Sequence, residues 1–234
     1  MRFPTPLIPG TLIRRYKRFL ADVRLDDGRE VVAHCPNTGA MTGLDGQGVR
    51  VWLEPNDDVK KKLDFGWRIS ELPGGHWVGI DAMVPNRVMR EAFAARDVAE
   101  LAAYGGVRAE VKYGKASRVD FLLTEPGLAD CYVEVKNVHL SREAGWAEFP
   151  DAATARGARH LDELADMVAL GHRAVMFYLV QRTDCKRFRL AGDVDAKYAQ
   201  AFARATAAGV EVLCYDTMID TGGVKLGQPL EVVI

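Results

Sequence analysis

The chain has 234 residues, with 31 Lys and Arg against 32 Asp and Glu and 48% apolar residues. That apolar share is too high for a disordered polypeptide, the net charge of −1 excludes a uniformly basic nucleic-acid binder, and local basic patches remain allowed. The longest apolar run, Ala174–Val180, is only seven residues, far short of a membrane span, and the Pro-rich start MRFPTPLIPG is not a secretory signal. Cys35, Cys131, Cys185 and Cys214 form no CxxC pair, so reduced thiols and a cytoplasmic location are expected, with no membrane partner.

Up to residue 83 the texture is that of short strands. Candidates are Thr11–Lys17, Phe19–Leu25, Glu30–Cys35, Val49–Leu53, Trp67–Leu72 and His76–Ala82. Asp27-Gly28 between two alternating runs is a hairpin signal, and this many strands without a good helix predict a small closed barrel or sandwich. From residue 84 the period lengthens. A helix is predicted over Asn86–Tyr104, stopped by Gly105-Gly106. Strands follow at Val107–Tyr113, Arg118–Thr124 and Cys131–Val138, with Gly114-Lys115 and Glu125-Pro126-Gly127 as turns. A helix over Thr154–Leu170, a buried strand at Arg173–Val180, a helix over Asp195–Ala208 and a strand at Val210–Tyr215 complete the order. Three consecutive strands, then helices alternating with strands, imply a mixed sheet flanked by helices. The fold class is therefore mixed α/β, in two domains, 1–83 and 84–234.

The chemistry concentrates in Arg118–Val138. Side chains alternate along a strand, so Cys131, Val133 and Val135 share one face, and Tyr132, Glu134 and Lys136 share the other. With the turn centred on Gly127, paired residue numbers sum to 254, which sets Asp120 opposite Glu134 and Arg118 opposite Lys136. Two carboxylates so opposed, with Cβ atoms about 5 Å apart, repel unless a proton or a cation bridges them. Oxygen ligands at that spacing suit Mg2+ or Mn2+. A lysine beside them can orient a metal-bound water or stabilise phosphoryl charge, which is the chemistry of phosphodiester hydrolysis. The competing reading pairs Asp120 with Arg118 or Arg142 and leaves Glu134–Lys136 as an ordinary surface ion pair.

Basic residues supply candidate nucleic-acid contacts. Arg14, Arg15, Lys17 and Arg18 interleave with Tyr16 and Phe19 and suit phosphate contact with stacking, or else protect a strand edge. Lys60-Lys61-Lys62 after Asp57-Asp58 reads as a solvated loop, though a loop beside a barrel groove could also bind. Arg156 and His160, four apart, share a helix face that could hold a scissile phosphate or simply be solvated. Gln181 and Arg182 end the Arg173–Val180 strand and could sit at the same sheet edge. Trp146 could stack on a base or anchor its loop. His34–Gly39 reads as a structural turn, with Asn37 or Gly39 at positive φ, in preference to a metal pair.

Several segments together carry a family resemblance. They are His34-Cys35-Pro36-Asn37-Thr38-Gly39 with Met41, Ser117-Arg118-Val119-Asp120-Phe121-Leu122-Leu123, and Tyr132-Val133-Glu134-Val135-Lys136-Asn137-Val138, followed by Phe149-Pro150-Asp151-Ala152, Thr154-Ala155-Arg156-Gly157, His160-Leu161 and Val180-Gln181-Arg182. In this order, over essentially the whole chain, they resemble the sugar fermentation stimulation protein A family. The resemblance implies an OB-like N-terminal barrel followed by a PD-(D/E)xK nuclease-like domain. It maps the site acid to Asp120, with Val119 where a proline usually stands, and the E-x-K to Glu134 and Lys136. A further acid from the first helix would be Glu91, with Glu110 as its rival. It also implies DNA binding without sequence preference, and a link to sugar metabolism. The expectation is a sequence-nonspecific DNA-binding protein with a divalent-metal nuclease site. A non-catalytic DNA-binding regulator, an RNA- or nucleotide-processing enzyme, and a homodimer stay open.

Overall fold

The computed structural model describes residues 1–58, 60–114 and 117–234. Lys115 of the expected Gly114-Lys115 turn lies outside them. Six strands build the first half: β1 (Ile8–Tyr16), β2 (Leu20–Leu25), β3 (Glu30–His34), β4 (Arg50–Pro55), β5 (Phe65–Leu72) and β6 (His76–Gly79). Strands β1 to β3 form a meander, β4 pairs with β1, and β5 with β4. A short parallel contact, Ala33↔Phe65 and His34↔Gly66, closes β3 onto β5 and completes a five-stranded barrel. Closure removes the exposed edges that a small open sheet would present. The alternation seen in the sequence fills its interior with Leu12, Val23, Leu25, Val51, Leu53 and Trp67.

The second half is a three-layer α/β/α unit. Its sheet runs β14-β13-β11-β9-β8-β7. These are β7 (Gly106–Tyr113), β8 (Ser117–Thr124), β9 (Cys131–Val138), β11 (Arg173–Val180), β13 (Glu211–Asp220) and β14 (Gly223–Pro229). Central strands β9, β11 and β13 are parallel and β7–β8–β9 antiparallel, the mixed arrangement anticipated. Helix α1 (Val84–Ala95) covers one face through Val88, Met89, Ala92 and Phe93. Helices α2 (Ala155–Ala169) and α3 (Ala196–Ala207) cover the other through Leu161, Leu164, Tyr198 and Phe202. Thr154 and Asp195 cap them, each accepting backbone N–H groups with its side chain.

The expected long first helix ends early, because Arg96 turns left-handed at φ 60° and a separate 3-10 turn follows at Ala99–Leu101. A small parallel sheet of β10 (Trp146–Phe149), β12 (Arg187–Leu190) and β15 (Glu231–Val233) was not expected, nor was β14. No described helix is long and apolar enough to cross a membrane, and all four cysteines are free and buried.

The halves are joined by backbone. Gly79 N donates to Gln181 O at 2.9 Å, Thr183 N to Trp77 O at 3.0 Å, and Trp77 N to Thr183 Oγ1 at 2.9 Å. A Cβ on Gly79 would stand 2.6 Å from Gln181 Oε1, so a larger residue there would make the Gln181 side chain shift.

Candidate active site

The β8–β9 ladder has the expected register, Phe121↔Val133, Leu122↔Tyr132 and Leu123↔Cys131, around Gly127 at φ 85°. It stops one pair short of Asp120. On the other flank, the β7–β8 pairing skips Glu110, which sits left-handed at φ 54°. Asp120 thus stands where the regular ladder breaks on both sides. Its Oδ2 takes the Val135 N–H at 2.8 Å, and its Oδ1 takes Asn86 Nδ2 at 2.8 Å. The carboxylate occupies the place of a main-chain acceptor and stays beside Glu134 without a direct ladder pair. Arg118 pairs in register with Lys112 on β7 instead of facing Lys136.

Glu134 is central. Its side chain is only 4% exposed and its Oε1 contacts both Lys136 Nζ, at 2.8 Å, and His160 Nδ1. Arg156 Nε donates to His160 Nε2 at 3.2 Å. A guanidinium can only donate, so Nε2 accepts and Nδ1 carries the hydrogen given to Glu134. Lys136 Nζ lies 3.3 Å from the same Nδ1. The other Glu134 oxygen, Oε2, is buried with no partner among the described residues. Burial pushes the Glu134 carboxyl up, but His160 and Lys136 outweigh it and hold the group below the usual carboxylate range. Asp120 goes the opposite way: burial and then the Glu134 charge raise it, against the bonds from Val135 and Asn86. Of the two neighbouring acids, one is held ionised by Lys136 and His160 and the other is raised by burial and by the first one's charge.

A further wall was not anticipated. Tyr113 is buried with its hydroxyl unpartnered among the described residues, and burial, then the charges of Glu134, Glu163 and Asp120, push it up. Glu163 accepts from Ser117 Oγ at 2.8 Å and keeps a buried Oε2 without a partner among the described residues. Asn86, Tyr113 and Glu163 reach the site only through the tertiary fold, and no motif in the sequence marks them.

The remaining candidates separate. Glu91 is 65% exposed and pairs with the Met1 amine at 2.7 Å; it is Asn86, one and a half turns earlier on α1, that reaches Asp120. Glu110 is exposed on β7. Arg14 is exposed and pairs with Asp22. Arg15 is committed inward, to Asp45 and to the carbonyls of Asn37 and Gly39. Lys17 and Arg18 form the exposed left-handed β1–β2 turn. Arg182 is buried, bonded to Asp184 and to His139 O, so it is part of the fold and not a surface for phosphate. Trp146 packs beneath Arg187 and Arg189 and anchors its strand. Asn37 closes a turn by accepting Gly39 N at 2.8 Å, and the positive φ falls on Met41, not on Asn37 or Gly39.

The donor set can be tested against a hard divalent ion. No described cluster gathers three His, Cys, Asp or Glu around one point. Mg2+ needs no such cage, since it commonly binds through one or two carboxylates and keeps several waters. Asp120 and Glu134 are two such carboxylates, and the unpartnered Glu134 Oε2 is a free ligand atom. The residues fit.

Residues 13–80 match the family described as the SfsA N-terminal OB domain, and residues 83–223 the Sugar fermentation stimulation protein RE domain. A sugar fermentation stimulation protein homolog of Dinoroseobacter shibae is 67% identical over 99% of this chain and 96% of its own. One from Ruegeria sp. is 63% identical over 98% of this chain and 99% of its own. A solved structure, described as Pyrococcus furiosus SfsA in complex with Ca2+, covers 100% of both chains with a TM-score of 0.88 at 26% identity. The barrel followed by the α/β layer, the Asp120–Glu134–Lys136 constellation and these matches lead to one assignment: the chain belongs to the sugar fermentation stimulation protein family, an OB domain followed by a restriction-endonuclease-like domain.

Proposed function

We propose that the second domain is a divalent-metal-dependent phosphodiesterase acting on DNA, and that the barrel and the basic rim hold the strand. One observation carries the reading: Asp120 and Glu134 converge from adjacent strands with Lys136 beside them, and Glu134 keeps a buried oxygen without a partner among the described residues. Asp120 and Glu134 would hold Mg2+ or Mn2+. The Ca2+ in the Pyrococcus relative supports a hard, oxygen-ligated cation. Such an ion lowers the pKa of a bound water and stabilises charge on the scissile phosphate.

The chain's own residues do the rest. His160, set by Arg156, fixes the Glu134 carboxylate so that Oε2 is the oxygen left free. Asn86 and the Val135 amide fix Asp120. The Lys136 ammonium is placed to orient the attacking water or to meet charge developing on phosphate. Exposed Arg87, Arg118, Arg156 and Arg159 stand on the elements around the pair, where they can neutralise backbone phosphates.

The test is incubation of purified protein with single- and double-stranded DNA, and with matched RNA, in Mn2+. Cleavage that is lost in Lys136→Ala is expected. A Lys136→Ala variant as active as the parent refutes the assignment, and cation binding without cleavage leaves a DNA-binding regulator.

A further inference from the structure

Six buried side-chain oxygen and nitrogen atoms have no hydrogen-bond partner among the described residues. Three of them stand at the carboxylate site: Glu134 Oε2, Glu163 Oε2 and the Tyr113 hydroxyl. Buried polar atoms are normally paired, with protein or with ordered water, so each orphan asks what meets it. The cation reading gives Glu134 Oε2 a task and leaves the other two without one. Tyr113 and Glu163 are only 7% and 8% exposed, so bulk water does not meet them.

Both groups are held in place. Tyr113 ends β7, where it pairs with Ser117 of β8. Its ring stacks on Tyr132, with centroids 5.8 Å apart and planes at 28°, and Tyr132 lies two residues before Glu134 on the same face of β9. The stack keeps the hydroxyl inside, within reach of the charges of Glu134, Glu163 and Asp120. Glu163 follows His160 by three residues on α2, on the same helix face, and His160 bonds Glu134. Ser117 Oγ donates to Glu163 Oε1 at 2.8 Å, which leaves Oε2 as the open oxygen. The chain at Gly114 closes in from the side, where a Cβ would stand 3.2 Å from Oε1.

No described cluster gathers three His, Cys, Asp or Glu around one point, so Glu163 stands beside the cation position and not in it. That is the place for a group that binds the cation's water. Mg2+ is held through one or two carboxylates and keeps several waters, whereas Ca2+ takes more direct oxygen ligands in a looser geometry. Every retained water has two hydrogens to donate. A carboxylate oxygen can accept one, and a phenol can accept one and donate its own. We propose that Tyr113 and Glu163 are positioning residues that hold the water of a hydrated Mg2+ beside Glu134, and that they favour this ion over Ca2+ at the site. The inference rests on the cation reading of Asp120 and Glu134 and is independent of which strand is cut. A Tyr113 that served packing alone would gain by losing its hydroxyl, since a buried hydroxyl without a partner costs free energy.

The experiment is thermal unfolding of the full chain in EDTA, and then against rising Mg2+ or, separately, Ca2+, where the shift in midpoint reads each affinity. Tyr113→Phe keeps the ring and its stacking. It melts at or above the parent in EDTA, and its Mg2+ affinity falls about 10- to 100-fold, the usual loss for a group that supports a metal site from behind its ligands. Its Ca2+ affinity stays within about three-fold of the parent's, because that ion leans on direct ligands. Glu163→Gln keeps an oxygen for Ser117 but puts a donor where the open acceptor stood, and it also removes a charge. Both affinities fall in that variant, that for Mg2+ further. A Tyr113→Phe variant that binds Mg2+ like the parent, loses both ions equally or melts lower in EDTA overturns the inference, as does an unchanged ratio of Mg2+ to Ca2+ affinity in Glu163→Gln. In each of those cases Mg2+ binding by the parent leaves the Asp120–Glu134 reading standing. A parent that binds neither ion overturns both.

Discussion

Replacing Asp120 by Asn separates its ligand role from its structural one. Asp120 accepts two hydrogen bonds at 2.8 Å, from Val135 N and Asn86 Nδ2. The amide of Asn can accept the first and, if the Asn86 amide turns over, donate in the second, so both contacts survive without charge assistance. Bonds to a charged group contribute about 1.5–3 kcal/mol and neutral ones about 1, so the loss is about 1–4 kcal/mol in all. Against this, repulsion from Glu134 disappears. At a separation on the order of 5 Å, two carboxylates in a medium of effective dielectric about 20 repel by roughly 3 kcal/mol. The two contributions cancel to within about 2 kcal/mol, and Asp120→Asn without metal should melt within a few degrees of the parent. Asp120→Ala relieves the same repulsion but leaves the Val135 N–H and the Asn86 amide without an acceptor, at about 1–3 kcal/mol each. It should therefore melt on the order of 10 °C below the Asn variant. Metal then reports function. A cation at about 100 times its Kd stabilises the parent by about 2.7 kcal/mol, a rise of roughly 5–11 °C for a chain of this size, and the Asn variant gains nothing at that concentration. Thermal unfolding with EDTA, Mn2+ and Ca2+ makes all three comparisons. If the Asn variant retains the parent's metal-dependent rise, Asp120 is not a ligand; if it melts as low as Ala, the hydrogen-bond reasoning fails.

The same pair sets a pH dependence. Burial and the Glu134 charge raise Asp120, so in the window above the usual carboxylate range the folded state holds a proton that the unfolded state has released. Its contribution to stability in EDTA therefore falls as pH rises through that window, and Asp120→Asn lacks this slope. Melting both proteins in EDTA across pH checks it: the difference should move in the parent's favour on acidification. Because the cation needs ionised ligands, Mn2+ affinity measured by calorimetry should weaken as pH drops through the same window. Lys136→Met should leave Mn2+ affinity within a few-fold but lower the cleavage rate about 100- to 1000-fold, the usual loss for one charge-stabilising donor, in single-turnover assays. Arg182→Ala should cost about 3–5 kcal/mol in urea unfolding, because it strands Asp184 without its partner, and should leave the salt slope of DNA binding unchanged.

Much of this fold was readable because local pattern and tertiary demand agree. Strand β11 begins and ends where its apolar run does, since it is an interior strand buried on two faces, and β9 where its alternation of apolar and polar residues does. The proximity of Asp120 and Glu134 followed from arithmetic about a glycine turn. The arithmetic could not show that Asp120 would leave the ladder to take the Val135 amide, because it assumes an unbroken register, and here the ladder breaks at Asp120 as it does at the left-handed Glu110 one strand away. Strands β10, β12 and β15 are three or four residues long, and their partners lie far apart in sequence, so no periodicity could accumulate. Asn86, Tyr113 and Glu163 are ordinary polar residues in sequence and acquire meaning only from what the sheet and helices bring together. Arg15 and Arg182 show the reverse failing: composition marks a cation, but only burial shows that protein acceptors already hold it.

The backbone seam at Trp77, Gly79, Gln181 and Thr183 has a mechanical consequence. Strand β6 is riveted to the end of β11, so the barrel cannot swing freely against the sheet. A nucleotide gripped in the barrel would be presented to Asp120 and Glu134 at a constant offset. The protein would then behave as a ruler, and products of a strand gripped at one end would fall at one spacing instead of a broad ladder of lengths.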